Sequence, residues 1–217
     1  MQSILKGVLD FQQGAYRDHA SLFTALAHGQ SPDVMFIGCA DSRVDPNALT
    51  QSLPGELFVC RNAGNIVPPH SHHACGETAS LEYALAVLGV SHIIVCGHSD
   101  CGAMKGALNP DALHDLPHVH DWIDHSRAAV EAVRAVKGKA DIEDLDAVIE
   151  QNVILQLRHI RTHPVAAARI AGGQLTLHGW VFDIGSGTVI AYDDHSNGFL
   201  PIAERYADLS ATAAASS

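Results

Sequence analysis

Two short segments hold the residues best suited to chemistry. Cys39-Ala40-Asp41-Ser42-Arg43 follows the apolar run Val34-Met35-Phe36-Ile37-Gly38, and His98-Ser99-Asp100-Cys101-Gly102 follows Ile93-Ile94-Val95-Cys96-Gly97. Cys39, His98 and Cys101 together offer two thiolates and one imidazole. Zinc, a borderline-soft ion, accepts that mixture of sulfur and nitrogen in tetrahedral geometry. The His-x-x-Cys spacing lets two of the donors reach one ion from a single turn. Three protein ligands leave a fourth position open, as catalytic rather than structural zinc sites do. Asp41 is the candidate for that position or for its neighbour. Arg43, two residues on, can hold the Asp41 carboxylate through a bidentate guanidinium pair. Held away, Asp41 accepts a hydrogen bond from water at the ion; released onto the ion, it closes the site. Zinc lowers the pKa of bound water from about 15.7 towards about 7, so the chemistry within reach is hydroxide directed at an electrophile. Other readings fit less well. Cys39 and Arg43 are too close in sequence for a phosphatase loop, and the glycine-rich stretches lack the Lys-Ser/Thr ending of a phosphate-binding loop.

These segments need a scaffold that brings them to one place. The chain has 217 residues, of which 47% are hydrophobic and 17% charged, a composition that buries a core. Its net charge of -11 argues against nucleic acid or an anionic membrane as main partner. No apolar run approaches the roughly 18–20 residues of a spanning helix. The opening Met-Gln-Ser-Ile-Leu-Lys lacks the order of a secretory signal. Five cysteines, an odd number, favour metal or catalytic use over a disulfide framework. A cytoplasmic location is the expectation. Residues 1–29 read as a helical arm with apolar Ile4, Leu5, Val8, Leu9 and Phe11, suited to packing on a partner subunit. Apolar runs predict strands at 34–38, 56–60 and 93–96, and helical spacing predicts helices at 77–89, near 119–137 and at 142–162. Asp45-Pro46 has the form of a helix start. Residues 174–183 and 189–192 predict a hairpin around Gly185-Ser186-Gly187. Residues 211–217 are expected to be a disordered tail. The fold class is α/β: a single domain over 1–217, with a mostly parallel central sheet flanked by helices and an N-terminal helical arm packing on a partner subunit. In such sheets chemistry collects at the carboxyl ends of the strands.

At the level of motifs, Cys39-Ala40-Asp41-Ser42-Arg43-Val44 and Gly97-His98-Ser99-Asp100-Cys101-Gly102 resemble the two signatures of β-class carbonic anhydrases. Glu56-Leu57-Phe58-Val59-Cys60-Arg61-Asn62-Ala63-Gly64-Asn65 and His178-Gly179-Trp180-Val181-Phe182-Asp183 are similar to two further family markers, in the same order. The resemblance runs from about residue 29 to 193. It implies reversible hydration of CO2 to bicarbonate and a proton by zinc-bound hydroxide, with Cys39, His98 and Cys101 as ligands and Asp41 and Arg43 as the orienting dyad. It also implies a homodimer or homotetramer. By the same resemblance Gln30, Phe58, Tyr83 and Gly102 take substrate-pocket positions, Phe58 and Tyr83 across the dimer interface. Family members that close their site hold bicarbonate away from zinc with a Trp, an Arg and a Tyr. The matching positions are Phe36, Arg61 and Phe182, and two phenylalanines lack the required donors, so the open, water-bearing form is expected.

His70, His72 and His73 could carry protons to solvent, since histidine titrates in the right range; exposed loop residues are the plainer reading. His114, His118 and His120 have no pattern that enforces metal geometry. Cys60 and Cys96 fall in predicted strands and read as core. Two rival functions share the same motifs: a CS2 or COS hydrolase on this scaffold, and a catalytically silent zinc-binding module.

Overall fold

Val34-Met35-Phe36-Ile37 and Ile93-Ile94-Val95-Cys96 are apolar at every position, which suits strands covered on both faces. They become the central strands of a six-stranded sheet. The computed structural model describes residues 1–207 and divides them into two compact units, Met1–Ser31 and the chain from Pro32 onward. The expected tail at 211–217 lies outside the described residues.

In the first unit the expected helical arm consists of α1 (Gln2–Gln13), α2 (Ala15–Asp18) and α3 (Ala20–Leu26), with Gly14 and His19 at the joints. Aromatic rings fasten the bends. Tyr16 stacks on Phe23 at 5.0 Å between ring centres, and Phe11 meets Phe23 edge-on at 5.8 Å. None of the three helices has a buried residue, and Ile4, Leu5, Val8 and Leu9 of α1 stand exposed.

The second unit runs β1 (Val34–Cys39), α4 (Pro46–Thr50), β2 (Leu57–Asn62), α5 (Gly76–Tyr83), β3 (His92–His98), α6 (Gly102–Leu108), α7 (Pro117–Ile123), α8 (Arg127–Lys137), α9 (Leu145–Thr162), α10 (Pro164–Ala171), β4 (Thr176–Phe182), β5 (Val189–Asp193), β6 (Gly198–Pro201) and α11 (Ile202–Arg205). The sheet order is β2-β1-β3-β4-β5-β6. β1 is parallel to β2 and β3, and β3 is parallel to β4; β5 and β6 add on antiparallel. The hairpin between β4 and β5 turns at Gly187, whose φ of 74° suits glycine. Asp45 caps α4 as its sequence predicts, accepting from the backbone N–H of Asn47 and Ala48.

Several boundaries differ from the sequence expectation. The helix predicted at 77–89 passes after Tyr83 into a π-helical turn, Ala84–Leu88. The one predicted near 119–137 is interrupted by a 3-10 turn at Asp124–Ser126. The one predicted at 142–162 begins with a 3-10 turn, Ile142–Asp144, capped by Asp141. Strand β2 extends two residues past Cys60, to Asn62. The sequence pattern predicts neither helices α6, α10 and α11 nor strand β6. Between α9 and α10, His163 is extended, as the residue before a proline tends to be, so Pro164 starts a new helix.

Alternate residues of the strands face opposite sides. Met35, Ile37, Ile93 and Val95 pack with Leu81 and Leu85 and with Val153, Leu157 and Ile160 of α9. Phe36, Ile94 and Cys96 face the other way, beside Trp180 and Phe182. Helix α9 lies directly on β3 and β4 because two strand residues lack side chains. A Cβ on Gly97 would sit 2.9 Å from Val153 Cγ2, and one on Gly179 2.8 Å from Val153 Cγ1.

Candidate metal centre

Because β1 and β3 are adjacent and parallel, Cys39 and His98 arrive at the same edge of the sheet. Cys101 joins them from the N-cap position just before α6, after a turn in which Asp100 takes a left-handed φ of 59°. The Cys39 and Cys101 sulfurs and a His98 ring nitrogen lie within 4.8 Å of one another, and all three residues are buried. Among the described residues this is the one group of three His, Cys or carboxylate residues close enough to share an ion.

The His98 ring is oriented for ligation. Its Nδ1 bonds the Ser99 carbonyl at 2.9 Å, which leaves the lone pair of Nε2 free. That Nε2 is buried without a hydrogen-bond partner. An orphaned ring nitrogen beside two sulfurs is costly in a purely structural core and is what a metal ligand requires. Cys39 Sγ accepts from the Gly64 N–H at 3.4 Å. Gly64 is fixed in turn by Asn152 of α9, which donates to its carbonyl at 3.0 Å, and Gln156 bonds Asn152 and the Val67 N–H.

The two neighbouring cysteines shift in opposite directions. The bond from Cys101, outweighing burial and helped by His98 and by the N–H groups of Gly64 and Asp41, pulls Cys39 down to about 4. The Cys39 thiolate and burial push Cys101 up. A dication among them favours thiolate on both sulfurs. Burial opposes a charge on His98, but the Cys39 sulfur beside it, the Ser99 carbonyl and the Asp41 carboxylate raise it. The other strand cysteines behave differently: burial pushes Cys60 up to about 11 and Cys96 up to about 12. None of the five cysteines is in a disulfide.

Asp41 stands beside this set, its Oδ2 3.9 Å from His98 Nε2. Arg43 holds it as a fork, with Nε on Oδ1 at 2.9 Å and Nη2 on Oδ2 at 2.7 Å, and the Arg43 backbone N–H adds a third bond at 3.0 Å. Those bonds keep the Asp41 carboxyl well below the usual carboxylate range. Arg61 fastens the same turn from β2, donating from Nε to the Cys39 carbonyl at 3.0 Å and from Nη2 to the Asp41 carbonyl at 2.7 Å.

The remaining sequence-predicted residues lie elsewhere. Gly102, the first residue of α6, is exposed next to Cys101. Phe58 and Tyr83 meet at 6.0 Å between ring centres. Phe58 pairs with Met35, four residues before Cys39, so the pair sits about 13 Å along the strands from this chain's own metal set. Gln30 is exposed at the end of the first unit. His70, His72 and His73 are exposed. His70 is anchored by its backbone N–H to Thr162 at the end of α9, about 15 Å along that helix from Asn152 and Gly64. His114, His118 and His120 are exposed and belong to no such cluster among the described residues. The sequence reading missed Gly64, Asn152, Gln156 and the Ser99 carbonyl. Asn152 and Gln156 could have been found as polar residues four apart on the otherwise apolar face of α9.

A mostly parallel sheet with a Cys-His-Cys donor set at its carboxyl edge, flanked by a forked Asp–Arg pair, defines an α/β metalloprotein of the zinc type. The sequence profile of the carbonic anhydrase family matches residues 34–189. The chain is 49% identical over 204 residues to a carbonic anhydrase of Pseudomonas aeruginosa, covering 94% of this chain and 93% of that one. It superposes on the β-carbonic anhydrase CcaA with a TM-score of 0.89 at 45% identity, covering 93% and 91% of the two chains. A match to one of two tetrameric β-carbonic anhydrases of Sordaria macrospora has a TM-score of 0.77 at 31% identity, covering 88% and 95%. The chain belongs to the carbonic anhydrase family, in its β class, and is a lyase of that kind. Its donor set fits zinc, the metal of that class. Among the described residues, no helix is long and apolar enough to cross a membrane.

Proposed function

We propose that this enzyme hydrates CO2 reversibly to bicarbonate and a proton, with Asp41 and Arg43 as the residues that orient the attacking water. Cys39, His98 and Cys101 would hold zinc, which supplies the acidity that brings water's pKa from about 15.7 towards about 7. Asp41 is ionised and therefore only accepts hydrogen bonds. A water proton pointed at Asp41 leaves an oxygen lone pair directed at the carbon of CO2. Arg43 occupies both Asp41 oxygens, which keeps Asp41 from taking the water's place. The observation that carries this reading is the Arg43 fork on a carboxylate 3.9 Å from the unpartnered His98 nitrogen.

The open form of the site is supported by Arg61, Phe36 and Phe182. Arg61 spends its Nε and Nη2 on the backbone carbonyls of Cys39 and Asp41. Phe36 is fully buried in an apolar cluster that includes Phe182 and offers bicarbonate no donor there. A crystal structure at pH 7.5 with Asp41 bonded to zinc would overturn the open form.

The active unit is a dimer or tetramer. The exposed apolar side of α1 supports this, and the Sordaria relatives are tetrameric. In that assembly Phe58 and Tyr83 wall the partner's apolar pocket; Gln30 and Gly102 keep the substrate positions that the family resemblance gives them. The released proton passes to buffer, and His70, His72 and His73 are exposed loop residues suited to carrying it to solvent. Five unpaired cysteines support a reducing, cytoplasmic location. The deciding experiment is stopped-flow CO2 hydration on zinc-verified protein from pH 6.5 to 9. Substantial activity at pH 7 in the wild type, lost in Asp41→Ala, supports the reading. No activity at any pH with zinc fully bound overturns it.

A further inference from the structure

Arg43 is gripped from two sides. One edge of its guanidinium forks onto Asp41. The other donates from Nη1 to Asp100 Oδ2 at 2.9 Å, and Nη2 also reaches the Asp100 carbonyl at 3.3 Å. Asp100 is the one left-handed residue of the turn between His98 and Cys101, a conformation that Asp and Asn tolerate better than other side chains. In it, Asp100 presents both its carboxylate and its own carbonyl to the same guanidinium. Its remaining oxygen, Oδ1, accepts from Lys105, one turn into α6. The charged groups facing Arg43 are thus Asp41 and Asp100, and those facing Asp100 are Arg43 and Lys105.

A planar fork held along one edge can swing together with the carboxylate it binds. Held along both edges, it cannot turn without breaking the second pair. The swing matters because Asp41 Oδ2 is already 3.9 Å from His98 Nε2, a short rotation from joining the donor set. We propose that Asp100 is a positioning residue for CO2 hydration: by pinning the far edge of Arg43, it keeps Asp41 turned away from Cys39, His98 and Cys101 and towards substrate water. Asp100 acts through Arg43, and Lys105 steadies it. The proposal rests on the Asp41–Arg43 reading above.

The test compares zinc-loaded wild type at pH 7.5 with Asp100→Gly, Asp100→Asn, Arg43→Gln and the double variant Arg43→Gln/Asp100→Gly. Glycine and asparagine both accept the left-handed backbone. Asp100→Gly is expected to lower kcat about tenfold with KM little changed, since a small misplacement of an orienting group costs rate rather than binding. Asp100→Asn, whose amide oxygen still accepts from Nη1, restores most of that loss. In the Arg43→Gln background, Asp100→Gly adds nothing, because the two act through one path. A crystal structure of zinc-loaded Asp100→Gly shows an Asp41 oxygen within about 2.2 Å of the metal, and that of Asp100→Asn does not. Unchanged kcat in Asp100→Gly, an effect fully additive with Arg43→Gln, or Asp41 still forked on Arg43 in the Asp100→Gly crystal overturns the role of Asp100. Wild-type activity in Arg43→Gln sinks the dyad reading itself, and this proposal with it. If Asp100→Gly does not fold, Lys105→Met replaces it: a smaller loss of kcat supports the proposal, and no loss overturns it.

Discussion

Strand β3 begins with His92 and ends with His98, and the two histidines live differently. His92 shares a hydrogen bond with His178 of β4 at 3.1 Å; His178 bonds the Tyr206 hydroxyl at 2.8 Å, and Trp180 donates to that hydroxyl at 3.2 Å. Both nitrogens of His178 are therefore engaged. Burial, then the neighbouring His92 and Arg205, hold it down at about 4, so it stays neutral. At the other end of the strand His98 is fully buried with Nε2 unpartnered, beside two sulfurs. Imidazole with both nitrogens engaged is a building material; imidazole with one buried nitrogen left over is a ligand. In a chain with fifteen histidines, that bookkeeping separates the functional ring from the rest better than sequence position does.

The largest effect that can break this contrast comes from exchanging the two rings' fates. His98→Ala is expected to lose bound zinc and at least about a thousandfold of CO2 hydration, because a ligand is gone. His178→Leu keeps one zinc per chain. Metal analysis with stopped-flow assay checks both, and zinc loss in His178→Leu would erase the distinction. Next in size is the residue beside His98. Gly97→Ala places a methyl group 2.9 Å from Val153 Cγ2 and 3.1 Å from Ile149 Cγ2, and overpacking of that kind costs about 1–3 kcal/mol. Urea unfolding should show it as a lower midpoint. His178→Leu strands the partners of His178, His92 Nδ1 and the Tyr206 hydroxyl, and is expected to cost about 1–2 kcal/mol in the same assay. The last effect appears only when pH is changed. His178 binds its proton less readily folded than unfolded, so its contribution to stability is complete above about pH 6.5 and fades as pH falls towards 4. Wild-type Tm therefore drops over that interval, and the drop is shallower in His178→Leu. Equal slopes would show that the ring takes up its proton as readily in the fold as out of it.

What the sequence disclosed follows the same division. The strands bearing Cys39 and His98 were legible because they are apolar without interruption, and residues at their ends have only one place to go in a parallel sheet. Asp41 and Arg43 are near enough in sequence that their pairing needs little of the fold. Asp100 and Lys105 were not legible as partners of Arg43, since nothing in a turn sequence announces a left-handed φ at an aspartate. The distance of Phe58 and Tyr83 from this chain's own metal set emerges only from the strand register, which pairs Phe58 with Met35. Helix interruptions such as Asp124–Ser126 escaped because the helical spacing of the buried residues Ile123, Ser126 and Val130 continues through them.

The order β2-β1-β3-β4 also sets a sequence of events in time. Cys39 ends β1, while His98 ends β3 and Cys101 follows it, beyond β2, α5 and their loops. Parallel pairs close long loops and form slowly compared with local helices. A refolding chain therefore presents a lone thiol on one side and a His-x-x-Cys pair on the other until β1 and β3 lock into register. Uptake of zinc by all three donors is in this sense a clock for the central strand pairing, and a chain slow to finish its sheet stays slow to become an enzyme.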